Sequence, residues 1–128
     1  MTMTKPELIA LVERYFAAVD AKDIEGTLAA CAADCCITVE TAGVQHRGRD
    51  GEIREMFERL FERFDTIWHG DFHHVADEQT GTIASQFLVR NLAPDGARQE
   101  KHNCNFFWAE NGEFSAISVY MSGTNTLT

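Results

Sequence analysis

The half of the chain after Phe64 does most to restrict the fold. Four long stretches rich in β-branched and aromatic residues, Thr66 to Ala76, Gly81 to Leu92, Ala97 to Ala109 and Glu113 to Ser122, follow one another with only turn chemistry between them. Thr80-Gly81 makes the first break. Pro94-Asp95-Gly96 makes the second, with proline presetting φ and glycine allowing a positive one. Asn111-Gly112 makes the third, a strong two-residue hairpin signal. Three successive hairpins predict an antiparallel meander. Strands of this length must curve, and a curved sheet closed by helices leaves a cone with an interior.

The first half supplies the helices. Thr4 with Glu7 reads as a capping box, with Pro6 in the first turn, and Leu8, Val12, Tyr15, Phe16 and Val19 recur at helical spacing. This predicts a helix from about Lys5 to Ala21. Asp23 caps a shorter helix carrying Ile24, Leu28 and Cys31, expected to end near Asp34. Cys35 to Thr41 alternates and reads as a strand, Ala42-Gly43 turns the chain, and Val44 to Arg47 is a short second strand. From Asp50 onward, Ile53, Met56, Phe57, Leu60, Phe61 and Phe64 form one apolar helical stripe, with charged residues on the remaining surface. The expected fold class is α+β: a cone-shaped, curved, mostly antiparallel sheet wrapped around three helices.

Composition bears mainly on partners. Twenty acidic residues against 11 basic ones give a formal net charge of −9, which disfavours nucleic acid and anionic membranes. No stretch is apolar for the length of a membrane span, and Met1 to Pro6 is polar, so the expected location is the cytoplasm. Cys31, Cys35, Cys36 and Cys104 form no CxxC pair and read as free thiols, with no metal and no cofactor expected.

The chain resembles the nuclear transport factor 2-like superfamily, and within it the ketosteroid isomerase and SnoaL-like polyketide cyclase branches. The resemblance is carried by residues 12–19 (VERYFAAV) with Lys22-Asp23-Ile24-Glu25-Gly26, by Ala32-Ala33-Asp34, by Thr38-Val39-Glu40 and by the stretch from Gly48 to Phe57. It covers nearly the whole chain and implies one SnoaL-like domain over residues 1–128. In ketosteroid isomerases a carboxylate moves a proton while a tyrosine and a protonated aspartic acid hold the enolate oxygen. The resemblance makes Tyr15 the candidate oxyanion donor, but Thr41 stands where the carboxylate base should be, and Cys104 where the second donor should be. Glu40 is expected to point away from the interior, because Ile37, Val39 and Thr41 share the other face of their strand.

The interior face is read from alternation. Ile83, Ser85, Phe87, Val89 and Asn91 share one face of their strand; His102, Cys104, Phe106 and Trp108 share a face of the next; Ile117, Val119 and Met121 share one on the last; Trp68, Gly70 and Phe72 are assigned to it on the first. With Met56, Phe57 and Phe61 this predicts a pocket for a hydrophobic small molecule, lined among others by Thr41, Phe57, Trp68, Ser85, Phe87, Cys104, Trp108 and Val119. His102 is the expected proton carrier beside Tyr15, loosely resembling the tyrosine and histidine of scytalone dehydratases. His69, Asp71 and His73 are assigned to the outer sheet face, where relatives in the superfamily dimerise, so the resemblance implies a homodimer through that face. Two functional readings stand side by side. One is a cofactor-independent isomerase, cyclase or dehydratase acting on a hydrophobic cyclic carbonyl compound. The other is a non-catalytic ligand-binding or assembly module, or the small subunit of a larger enzyme.

Overall fold

The computed structural model describes residues 2–128. Helix α1 (Lys5–Asp20) begins at the expected capping box: Glu7 N–H donates to Thr4 Oγ1 at 3.3 Å, and Thr4 N–H donates to Glu7 Oε1 at 2.9 Å. These contacts satisfy two of the amide groups that a helix start leaves open. Helix α2 (Ile24–Ala29) starts at Asp23, whose carboxylate accepts from Gly26 N–H at 3.0 Å. It stops well before Asp34, because Cys31 to Val39 is strand β1. Cys31 and Cys35 fit helical spacing, but Phe114 N–H donates to Ala30 O at 2.7 Å and draws this segment into the sheet. Here a tertiary partner outweighs local pattern.

Strand β2 (Val44–Arg47) pairs with β1, and a wide turn over Gly48–Ile53 leads into α3 (Arg54–Arg63). The meander follows: β3 (Thr66–Asp77), β4 (Thr82–Leu92), β5 (Arg98–Glu110) and β6 (Glu113–Tyr120). Asn111 and Gly112 take φ of 55° and 79°, the positive pair that a tight hairpin turn requires. The six strands form one curved, unclosed sheet in the order β2-β1-β6-β5-β4-β3, antiparallel throughout except that β6 runs parallel to β1.

One face of the sheet carries Ile37, Val39, Ile83, Phe87, Phe107, Ile117 and Val119, all buried. Leu8, Val12, Tyr15, Phe16 and Val19 of α1 and Met56, Phe57 and Leu60 of α3 join them in one core. Each such side chain contributes about 1.5–3 kcal/mol on burial, so this shared face fixes which side of every strand looks inward.

Two irregularities change that side relative to simple alternation. In the β5–β6 hairpin, Ala109 pairs with Phe114 but Trp108 pairs with Ala116, so Ser115 is an extra residue and its hydroxyl donates to Trp108 O at 3.2 Å. Beyond this bulge Phe107, not Phe106, lies opposite Ile117. The inward residues of β5 are therefore Lys101, Asn103, Asn105, Phe107 and Ala109, all buried, whereas His102, Phe106 and Trp108 are exposed and Cys104 half-buried on the outer face. In β3, Gly70 pairs with Leu88 and His73 with Gln86, leaving two residues opposite Phe87; Asp71 there has a φ of 54°. Ile67 and His69 face inward before the bulge, and Phe72 and His74 after it. Trp68 lies outside, its ring folded over Gly70.

Candidate functional site

The curved sheet and the helices enclose a cavity lined by Tyr15, Phe16 and Val19 of α1, by Phe57 and Leu60 of α3, and by inward residues of β3, β4, β5 and β6. Its water-accessible volume is about 40 Å³, room for a few water molecules, so a ring compound enters only when lining side chains move aside. One wall is aromatic. Phe16 stacks on the His69 ring at 4.6 Å between centroids, and Phe87 lies 4.7 Å from Phe16. The carboxamides of Asn91, Asn103 and Asn105, on the same sheet face as Phe87, make part of the lining polar.

His69 is the group in this cavity best arranged for proton transfer. Asp20, the last residue of α1, holds it from behind. The Asp20 carboxylate accepts from the His69 backbone N–H at 3.0 Å and meets its ring Nδ1 at 2.6 Å. The His69 side chain is 11 % exposed and that of Asp20 23 %. A carboxylate on Nδ1 assigns a proton to that nitrogen, so in the neutral ring Nε2 carries the lone pair. The β3 bulge puts His69 inside, and the expectation that it lies on the outer face with Asp71 and His73 does not hold.

Tyr15 lies in the cavity wall, with the rings of Phe57, Phe107 and Phe114 edge-on around it. Burial pushes its phenol well above the ordinary tyrosine range, with smaller contributions from the Cys31 and Cys35 thiols. The phenol is therefore a neutral hydrogen-bond donor at any physiological pH, not a base.

The remaining expected site residues divide by placement. Phe57, Phe87 and Val119 line the cavity. Ser85 points inward and is fully buried, but its hydroxyl meets His74 Nδ1 at 2.8 Å, and His74 Nε2 lies 3.1 Å from Glu13. That chain of contacts fastens α1 to the sheet beside the cavity. His102, Cys104, Trp68 and Trp108 lie on the outer face, contrary to expectation, because the two bulges reverse the side they present. Thr41 sits in the turn after β1, exposed, and accepts from Met121 N–H at 3.3 Å. Thr41, His102 and Cys104 meet in a shallow depression outside the sheet. Glu40 points outward as expected and accepts from the Ser118 hydroxyl at 2.7 Å.

Three features of the site escaped the sequence reading: the Asp20–His69 pair, the inward amides Asn103 and Asn105, and the C-terminal segment. Thr126 and Leu127 lie over the cavity. Lys101 Nζ holds this segment through Ser122 O at 3.1 Å and Thr124 O at 2.5 Å, while His46 Nε2 meets Leu127 O at 2.9 Å. Burial draws the Lys101 ammonium below its ordinary range, with a further contribution from Arg63. Among the described residues no three His, Cys, Asp or Glu side chains come together to hold a metal ion, and no helix is long and apolar enough to cross a membrane.

Comparison with known proteins agrees with this architecture. A proposed polyketide cyclase from Xanthomonas campestris has a similar fold, with a TM-score of 0.81 at 18 % identity over 91 % of this chain and 90 % of that one. PrhC from Penicillium brasilianum superposes with a TM-score of 0.81 at 21 % identity, covering 94 % and 83 % of the two chains. AusH from Aspergillus nidulans does so at 0.82 and 14 % identity, covering 95 % and 88 %. At these identities the likeness shows the fold alone. No curated protein matches the chain in sequence. The model of the SnoaL-like domain matches residues 12–117, from the middle of α1 into β6, and the chain belongs to that family.

Proposed function

We propose that this protein binds a small cyclic carbonyl compound in the cavity and transfers a proton beside its carbonyl, as an isomerase, cyclase or dehydratase that needs no cofactor. The observation that carries the reading is the buried Asp20–His69 pair, with Nδ1 committed to the carboxylate at 2.6 Å and Nε2 left for chemistry. His69 Nε2 takes the proton from the carbon next to the carbonyl. The C–H electron pair moves into the ring as an enolate, and Asp20 stabilises the imidazolium that forms. Tyr15, neutral through burial, donates to the enolate oxygen. Return of the proton from Nε2 to another carbon, or to a leaving hydroxyl, completes an isomerisation or a dehydration. His69 takes the role that the sequence reading gave to His102.

This chemistry can be tested before the substrate is known. Cyclic ketones such as 2-tetralone are incubated with the protein in D₂O, and exchange beside the carbonyl is followed by NMR. Exchange faster than in buffer, reduced about 10²-fold or more in His69→Phe, is the expected result. Exchange that is absent across the panel, or unchanged in that variant, removes the proton-transfer reading and leaves a binding module.

The outer face supports a homodimer. Trp68, Phe106, Trp108 and Tyr120 are 38–49 % exposed there, an aromatic surface unusual for a sheet left to water. Light scattering should give twice the chain mass, falling to the monomer in a Phe106→Arg, Trp108→Arg variant. A wild-type monomer at micromolar concentration counts against it.

A further inference from the structure

We propose that residues 124–128 form a flap that opens to admit the ligand, with Ser122-Gly123 as its hinge and the Lys101 ammonium as the latch that keeps it shut. The inference rests on reading the cavity as the ligand site and adds how that site is reached. A water-accessible volume of about 40 Å³ takes in a ring only if part of the lining moves. Most of the lining belongs to α1, α3 and strands β3 to β6. Displacing any of these breaks the backbone hydrogen bonds of a helix or a ladder. Among the described residues, Met121, Thr126 and Leu127 alone line the cavity from outside those elements.

The segment after β6 is fixed at its root and loosely held beyond it. Met121 N–H donates to Thr41 Oγ1 at 3.3 Å, His102 N–H donates to Ser122 Oγ at 2.9 Å, and Ser122 N–H donates to Asn103 Oδ1 at 3.2 Å. Gly123 follows with a φ of 77°, a conformation open to glycine at little cost. Past it, among the described residues, no backbone–backbone hydrogen bond ties residues 124–128 to a helix or strand. Side chains hold them instead: Lys101 Nζ on Thr124 O at 2.5 Å, His46 Nε2 on Leu127 O at 2.9 Å and Arg59 Nη2 on Thr128 O at 2.8 Å. Such contacts break without unfolding an element, so this part of the wall opens most readily. Lys101 controls the hinge because its ammonium also donates to Ser122 O at 3.1 Å, and so grips both sides of Gly123. A Cβ on Gly123 would lie 3.2 Å from Nζ, so the turn is drawn close around the ammonium. Thr126, buried, and Leu127, half-buried, are thereby held over the cavity.

The test reads access to the cavity with methyl methanethiosulfonate, a small thiol reagent, and needs no ligand. Val19 is buried and lines the cavity. Val19→Cys is made in a chain that also carries Cys36→Ser and Cys104→Ser. The remaining native thiols, Cys31 and Cys35, are buried and do not line the cavity, so they report any loosening of the core. The expected result is slow labelling at position 19, faster by about tenfold or more when Lys101→Met is added, because two hydrogen bonds from a charged group are lost. Cys31 and Cys35 should stay unlabelled in both proteins. Gly123→Ala, which puts a side chain on the positive φ and crowds Nζ, should act in the same direction and serves if Lys101→Met does not fold; Val119→Cys serves as the reporter if Val19→Cys does not. Labelling at position 19 as fast as at an exposed thiol, or a rate unchanged by both latch variants, overturns the proposal. So does labelling of Cys31 and Cys35 that accelerates in step, since Lys101 would then hold the whole fold. Because access alone is read, a latch effect without proton exchange on cyclic ketones would leave the flap standing while the catalytic reading failed.

Discussion

The Asp20–His69 contact supports a quantitative prediction about stability. Asp20→Asn keeps the shape of the side chain but removes its charge and one of its two acceptor oxygens. The structure gives Asp20 two hydrogen bonds to His69, at 3.0 Å from the backbone and 2.6 Å from the ring, with both side chains less than one quarter exposed. A hydrogen bond to a charged group contributes about 1.5–3 kcal/mol, so Asp20→Asn should cost about 2 kcal/mol. For a chain of this size that lowers Tm by roughly 6–10 °C. The cost should belong to the pair and not to Asp20 alone. His69→Phe preserves the stacking on Phe16, seen at 4.6 Å, while deleting the ring nitrogens. In a double-mutant cycle by urea denaturation the two substitutions should show a coupling of about 1–2 kcal/mol. Nitrogen NMR of the wild type should place the neutral ring's proton on Nδ1, and Asp20→Asn should shift the tautomer. Additivity within about 0.5 kcal/mol would refute the reasoning, because the carboxylate would then hold the backbone and not the ring.

Three further outcomes follow from other parts of the structure. Burial raises the Tyr15 phenol above its usual 10.0, so the unfolded chain loses that proton first and stability declines as pH rises above about 10. In Tyr120→Phe, which leaves Tyr15 as the one tyrosine, phenolate absorbance should appear only with unfolding; ordinary titration in the folded state would contradict the burial. In the monomeric Phe106→Arg, Trp108→Arg variant a thiol reagent should react at Cys36 and Cys104, which are partly exposed, while buried Cys31 and Cys35 react only on denaturation. Four thiols reacting at one fast rate would argue against this packing. Gly70→Ala would drive a Cβ into the Trp68 ring, which must swing out and leave the Arg90 guanidinium 5.1 Å from its centroid. A loss of about 1 kcal/mol and a red shift in tryptophan fluorescence are expected; unchanged emission would contradict the contact.

Turn chemistry made the fold readable. Asn111-Gly112, Pro94-Asp95-Gly96 and Thr80-Gly81 placed three hairpins, and the meander strands begin within a residue of the expected positions. The site was less readable, for a reason visible in β5. Its inward row reads Lys101, Asn103, Asn105, and its outward row includes Phe106 and Trp108, so assigning the apolar side to the core inverts the strand. A shift of one residue moves every side chain to the other face, and the extra Ser115 makes that shift. A clue was present. Closing the turn with Leu92 opposite Arg98 puts Ile83 against Phe107 and Ser85 against Asn105, which fixes the correct face. In β3 the clue was Gly70, since glycine inside a strand often marks a bulge. That bulge brings His69 inward, and Asp20 comes from an element nearly fifty positions earlier, as their hydrogen bond records. No local pattern announces such a pair.

The position of β6 bears on how the chain is made. The last of these six strands to be made lies between β1 and β5 in the middle of the sheet, joining β2-β1 to β5-β4-β3. Until residues 113–120 emerge, β1 has no partner on that side, and the inner row of Ile37 and Val39 has no Ile117 or Val119 beside it. The nascent protein therefore carries two incomplete sheets with open edges and cannot close its core until β6 is made. Slow translation of the early helices gains it nothing, whereas a pause just before β6 prolongs the interval in which both edges are open to other chains.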